Sequence, residues 1–173
     1  MTKLMTIDSV FVRDFSRLGL LSTFLSLSSH IQTSCTACDC IRIPHGVDTH
    51  NGPLQGKLYM AALTNVDMDK ALVLGLQFNG LTFDDATILY LARRDGTILI
   101  TGDSFVGRVA ASLKITAHDY LWAFVQMVNS GLLSENEARV KYNQLATSVN
   151  RYMHRRDPAK ALSEASLEYK KTA

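Results

Sequence analysis

Two periodicities run along the chain, one suited to buried strands and one to amphipathic helices. Leu4-Met5-Thr6-Ile7 is an apolar run that predicts a buried strand. Phe11, Phe15, Leu18 and Leu21 follow near helical spacing, and Gly19 weakens that helix or ends its first part. His30 to Ser34 predicts a second strand and Cys35 to Ile41 a short helix, broken by Pro44-His45-Gly46. Asp48 to Gly56 has the polar, glycine-containing character of an exposed loop, and Lys57 to Leu63 predicts another short strand.

Helix starts are written more sharply in the second half. Thr64-Asn65-Val66-Asp67, Thr82-Phe83-Asp84-Asp85 and Ser134-Glu135-Asn136-Glu137 each fit a capping box. They predict helices to about Phe78, with Asn79-Gly80 as the stop, then through Ile88, Leu91 and Ala92, then along a face of Ala138, Tyr142, Leu145, Val149 and Tyr152 or Met153. Asp95-Gly96 turns into the strongest strand, Thr97 to Thr101. A helix from about Phe105 to Leu113, a short strand over Lys114 to Thr116, and a helix from Asp119 to Asn129 ended by Gly131 complete the pattern. Strands alternating with helices predict an α/β fold, three layers α/β/α around a mainly parallel sheet.

Composition narrows the class. A chain of 173 residues, 47% hydrophobic, suits one domain over 1–156 with a polar tail over 157–173. A net charge of +2 does not by itself announce a nucleic-acid partner. No apolar run reaches the roughly 18 residues of a membrane span, and the start, Met1-Thr2-Lys3, is too soon followed by Asp8 to suggest a signal peptide. Three cysteines fit a reducing, cytoplasmic setting better than a disulfide framework. Cys35, Cys38 and Cys40 near His30, His45 and His50 lack the second spaced pair that zinc sites show. Trp122 falls on an apolar helix face, and Arg93-Arg94 is most simply a solvated helix end. Arg151, His154, Arg155 and Arg156 form a basic cluster that complements a helix C-terminus or approaches RNA.

Three acids stand at boundaries of regular structure. Asp8 closes the first strand, Asp103 closes the apolar strand ending Thr101-Gly102, and Asp85 opens a helix. Each has a plain role as a helix cap. Their joint placement adds a second role, because ligands of open α/β sheets bind outside the carboxyl ends of strands. Carboxylates gathered there repel unless a cation neutralises them, and an oxygen-only cluster suits Mg²⁺ or Mn²⁺.

Leu81-Thr82-Phe83-Asp84-Asp85-Ala86, Tyr90-Leu91-Ala92 and Ile98-Leu99-Ile100-Thr101-Gly102-Asp103 resemble the second half of a PIN domain. Lys114 to Trp122 resembles the strand and helix that follow the last acid in bacterial members. The likeness is good from Leu81 to about Asn150, looser in the first 34 residues through Ile7-Asp8-Ser9, and one of pattern alone over 41–80. It implies a metal-dependent ribonuclease, many relatives being toxins silenced by an antitoxin protein, and a homodimer. It also implies that Asp8, Asp85 and Asp103 hold Mg²⁺ or Mn²⁺, with Asp84 a spare neighbour. Ser9 or Thr101 would hydrogen-bond a carboxylate or a phosphate, and Arg108 would meet the RNA backbone or simply belong to a solvated helix face.

One position departs from the pattern. Where PIN nucleases carry a glutamate after the second strand, this chain has Thr36-Ala37-Cys38-Asp39-Cys40-Ile41. Asp39 replaces it with a shorter arm, or Cys40 takes the position and Asp39 points about 100° away. The departure motivates a rival expectation, a catalytically degenerate PIN domain that binds a protein or RNA. A further rival is an unrelated α/β protein whose acids only cap helices.

Overall fold

The computed structural model describes residues 4–34 and 57–148. Five strands, β1 (Met5–Ile7), β2 (Ile31–Ser34), β3 (Leu58–Ala61), β4 (Ile98–Ile100) and β5 (Ala117–His118), form one parallel sheet in the order β3-β2-β1-β4-β5. Seven helices accompany them among the described residues: α1 (Ser9–Arg17), α2 (Leu21–Leu25), α3 (Asn65–Leu76), α4 (Phe83–Asp95), α5 (Ser104–Ser112), α6 (Tyr120–Asn129) and α7 (Glu135–Ser148). The expected α/β/α layering is what the chain adopts.

Side-chain alternation explains the layers. Met5 and Ile7 of β1, with Ile98 and Ile100 of β4, face a core shared with Phe11, Phe15, Phe24, Phe124 and Tyr142. Leu99, between the two isoleucines, faces the opposite core with Leu74, Ile88, Leu89, Val106 and Val109. A strand apolar on both faces is the signature of a parallel sheet covered on both sides. On the second face Thr6 meets the Thr97 hydroxyl at 2.5 Å, a buried polar pair satisfied internally.

The topology sets where an open α/β sheet of this kind would take a ligand. Strands β1, β2 and β3 step outward to one side, and the chain then returns to place β4 against the other side of β1. The order therefore reverses between β1 and β4, in register Ile7 with Ile100, which makes a topological switch point at their carboxyl ends.

Most expected boundaries hold within a few residues. All three capping boxes form. Gly19, at φ +69°, ends α1, and the chain restarts as α2. Helix α3 stops at Leu76, because the Gln77 and Phe78 amides bond Leu74 and Gly75 in a tightened last turn before Asn79-Gly80 is reached. The last strand lies at Ala117–His118 instead of Lys114–Thr116. Lys114 adopts φ +59°, while its amide and that of Ile115 bond back to Ala111 and Ala110. These are the bonds of a Schellman closure, so the segment expected as strand terminates α5. Lysine in place of glycine conceals that closure in the sequence.

Arg94 is not simply solvated. It pairs with Asp67 at 3.3 Å and Asp95 at 2.7 Å, linking α3 to α4. Trp122 is half-buried and stacks on His118 at 4.5 Å, at the rim of the first core. Cys35, Cys38, Cys40, His45, His50, the helix over 35–41, Val149, Tyr152, Met153, the basic cluster from Arg151 and the tail over 157–173 lie outside the described residues. Among the described residues no helix is long and apolar enough to cross a membrane.

The Asp67 pairing yields an acid-limb prediction. Hydrogen bonds from Tyr90 and Thr64, with Arg94 nearby, hold the Asp67 carboxyl down at about 2 from 3.8. A depressed folded value means stability that is present above 3.8 and is lost as pH falls through about 2. Asp67→Asn should lower the melting temperature at pH 7, and the gap to wild type should close by pH 2. Calorimetry at both pH values measures it, and a pH-independent gap would exclude this linkage.

Candidate functional site

Asp8 is the residue through which the sheet becomes a site. Its amide extends the β1–β4 pairing by one bond, to the Ile100 carbonyl at 3.2 Å. The backbone then turns into α1, and the Asp8 carboxylate caps that helix by accepting from the Phe11 amide at 2.6 Å. The other carboxylate oxygen accepts from the Thr101 hydroxyl. Asp8 is only 3% exposed.

Thr101 joins the two central strand ends. Its amide donates to the His118 carbonyl at 3.0 Å, and its hydroxyl accepts from the Asp103 amide at 3.0 Å while donating to Asp8. Of the two roles expected for Thr101, the structure shows the bond to a carboxylate. Asp103 caps α5 with one oxygen, accepting from Phe105 at 2.7 Å and more loosely from Val106 at 3.4 Å. Its second oxygen has no hydrogen bond among the described residues. Asp85, as the third residue of α4, accepts from the Thr82 hydroxyl at 2.6 Å and the Thr82 amide at 3.2 Å through one oxygen. Its other oxygen is likewise left over. Capping and clustering thus coexist in the same side chains.

The acids sense one another. Burial pushes the Asp8 carboxyl up to about 7, and the charge of Asp85 adds to that rise against the hydrogen bonds from Thr101, Phe11 and Gly102. Asp85 is also pushed up, by burial first and then by the charges of Asp103 and Asp84, against the bonds from Thr82. Asp85 is therefore the electrostatic link between the other two. No ion pair among the described residues reaches Asp8, Asp85 or Asp103. Nor do they or their neighbours form a closed group of three metal-ligating side chains among the described residues. The donor set is nonetheless all carboxylate, the chemistry that hard divalent cations take.

Around the acids, Ser9 is the first residue of α1 and half-buried. Arg108 is exposed on α5, 3.4 Å from the Ser104 hydroxyl and 5.7 Å above the Phe105 ring centroid. Ser34, at the end of β2, meets the Thr87 hydroxyl of α4 at 3.1 Å, so that strand end also approaches the Asp85 helix. Asp39, five residues beyond Ser34 at the end of β2, lies outside the described residues.

A second polar pair escaped sequence reasoning. The Tyr120 hydroxyl donates to Asp14 at 2.6 Å, with both residues buried, and Arg13 reaches the same carboxylate at 3.3 Å. Tyr120 lies against Gly102, between Thr101 and Asp103: a Cβ there would sit 2.1 Å from its phenol oxygen. The available signal was Asp14 itself, a charge set between Phe11 and Phe15 in a buried helical stripe.

Comparison with known proteins leaves the site to be read from its own geometry: no family model and no curated protein matches the chain.

Two predictions follow from the packing and the charge. Gly102→Ala should destabilise the fold by about 1–3 kcal/mol through overpacking against Tyr120, an effect visible in chemical denaturation. An unchanged midpoint would show that the two do not press together. For Asp8, a raised folded value means stability that is full below 3.8 and lost as pH rises through about 7. In chelator, wild type should lose more stability than Asp8→Asn between pH 5 and pH 8, as urea midpoints would reveal. Parallel pH profiles would contradict the burial argument.

Proposed function

We propose that this chain is a PIN-type ribonuclease that hydrolyses RNA phosphodiester bonds with Mg²⁺ or Mn²⁺, and that it is the toxin of a toxin–antitoxin pair. The observation that carries the proposal is that Asp8 and Asp85, whose carboxyls are pushed up by burial and by a neighbouring carboxylate, have no ion-pair partner among the described residues at the switch point of a parallel sheet. Burying like charges without a counter-ion is unfavourable, and groups perturbed in this way are candidates for a functional site.

Asp8, Asp85 and Asp103 are the residues that would hold the cation. When bound, it would supply an acidified water and charge stabilisation at the scissile phosphate. The protein's own part is positional. The Thr101 hydroxyl aims Asp8, Thr82 aims Asp85, and the first turn of α5 aims Asp103. In this reading Ser9 and Arg108 would meet the phosphate backbone, and such contacts give affinity without sequence choice. Asp39 belongs to the same proposal as a further member of the catalytic set. A cytoplasmic location, an antitoxin partner and a homodimer accompany it on the family resemblance.

The alternative is a degenerate PIN domain serving as a protein- or RNA-binding module. Asp39 or Cys40 in place of glutamate favours it, as does the absence of a closed ligand group among the described residues.

The deciding experiment is cleavage of a single-stranded RNA with Mn²⁺, beside a saturation titration of the metal. Wild type should bind Mn²⁺ and cut, and Asp103→Asn should cut more than about 100-fold more slowly, beyond the loss typical of outer-shell changes. Cleavage that survives the substitution removes Asp103 from the mechanism. Absence of saturable Mn²⁺ binding supports the degenerate module.

A further inference from the structure

The Thr101-Gly102-Asp103 turn has the Asp8 carboxylate on one side and the Tyr120 phenol on the other. Toward Asp8 it presents the Thr101 hydroxyl and the Gly102 amide. Toward Tyr120 it presents a residue without a side chain, and nothing larger would fit: a Cβ would meet the phenol oxygen at 2.1 Å, Cζ at 2.3 Å and Cε2 at 2.5 Å. The ring itself has little freedom. It stacks near Phe11 at 5.4 Å and Phe15 at 6.0 Å, and its hydroxyl is tied to Asp14.

Packing alone does not explain this arrangement. Phenylalanine would fill nearly the same volume, and an apolar residue at position 14 would spare the helix a buried carboxylate, which is costly unless hydrogen-bonded. The Tyr120–Asp14 bond instead fixes where the ring lies, and the ring bounds where the turn can lie. We propose that Tyr120, anchored by Asp14, is a positioning residue that holds the Thr101–Asp103 turn so that Asp8 and Asp103 keep their aim. Its purpose rests on the nuclease reading, whereas its mechanical effect does not.

The test uses the full chain and two readouts, amide hydrogen exchange without metal and Mn²⁺ affinity. Tyr120→Phe and Asp14→Leu remove the bond from opposite ends, so that one serves if the other fails to fold. Asp14→Asn keeps an acceptor for the phenol. In either bond-breaking variant, exchange of the Asp103 amide, which bonds the Thr101 hydroxyl, should quicken at least about tenfold. The Leu99 amide, bonded within the sheet to Thr116, should stay near wild type. Mn²⁺ affinity should fall by about tenfold, as for loss of an outer-shell support. Asp14→Asn should resemble wild type in both. Uniformly faster exchange, an unchanged Asp103 amide, or an Asp14→Asn variant as impaired as Asp14→Leu would each overturn the positioning role. If wild type binds no Mn²⁺ while the exchange change stays local, the nuclease reading fails and the clamp stands.

Discussion

Asp8 has a hydrogen bond on each carboxylate oxygen, almost no exposure to water and no cation paired with it among the described residues. Much of the surrounding architecture can be understood as holding it there. Pairing of β1 with β4 brings Thr101 to it, and the first turn of α1 gives it an amide. Hydrogen bonding lowers the penalty of burying a charge without removing it, which is why the carboxyl still sits far above its ordinary range. A fold that only needed to end a strand and begin a helix could do so with serine or asparagine. Retaining an acid at this depth is what the proposed cation site would require.

The same three carboxylates serve as helix caps. Every acid commits an oxygen to a helix start, and Asp85 and Asp103 each keep one in hand. Among the described residues the arginines that form ion pairs, Arg13 and Arg94, are engaged with Asp14, Asp67 and Asp95 and not with the three acids.

Much of this was legible in the sequence. The capping boxes at Thr64, Thr82 and Ser134 announced their helices because the chemistry is local, a hydroxyl and a carboxylate three residues apart. The both-face apolar character of Ile98-Leu99-Ile100 announced a central strand, and the acids at strand ends followed from it. Less legible was anything decided by one unusual dihedral or by contacts between distant segments. Lys114 closes α5 without the glycine that normally signals such a closure. Arg94 looks solvated until α3 packs beside α4 and brings Asp67 within reach. The Tyr120–Asp14 pair joins residues more than a hundred positions apart, and neither side chain has a local pattern that predicts the other.

That closure of α5 also shapes the margin of the sheet. By drawing Leu113, Lys114 and Ile115 into the helix end, it leaves β5 as Ala117–His118 alone. A border only two residues long offers few unpaired amides and carbonyls for a foreign chain to zip onto. The rim beside the acids is thereby guarded against intermolecular sheet growth.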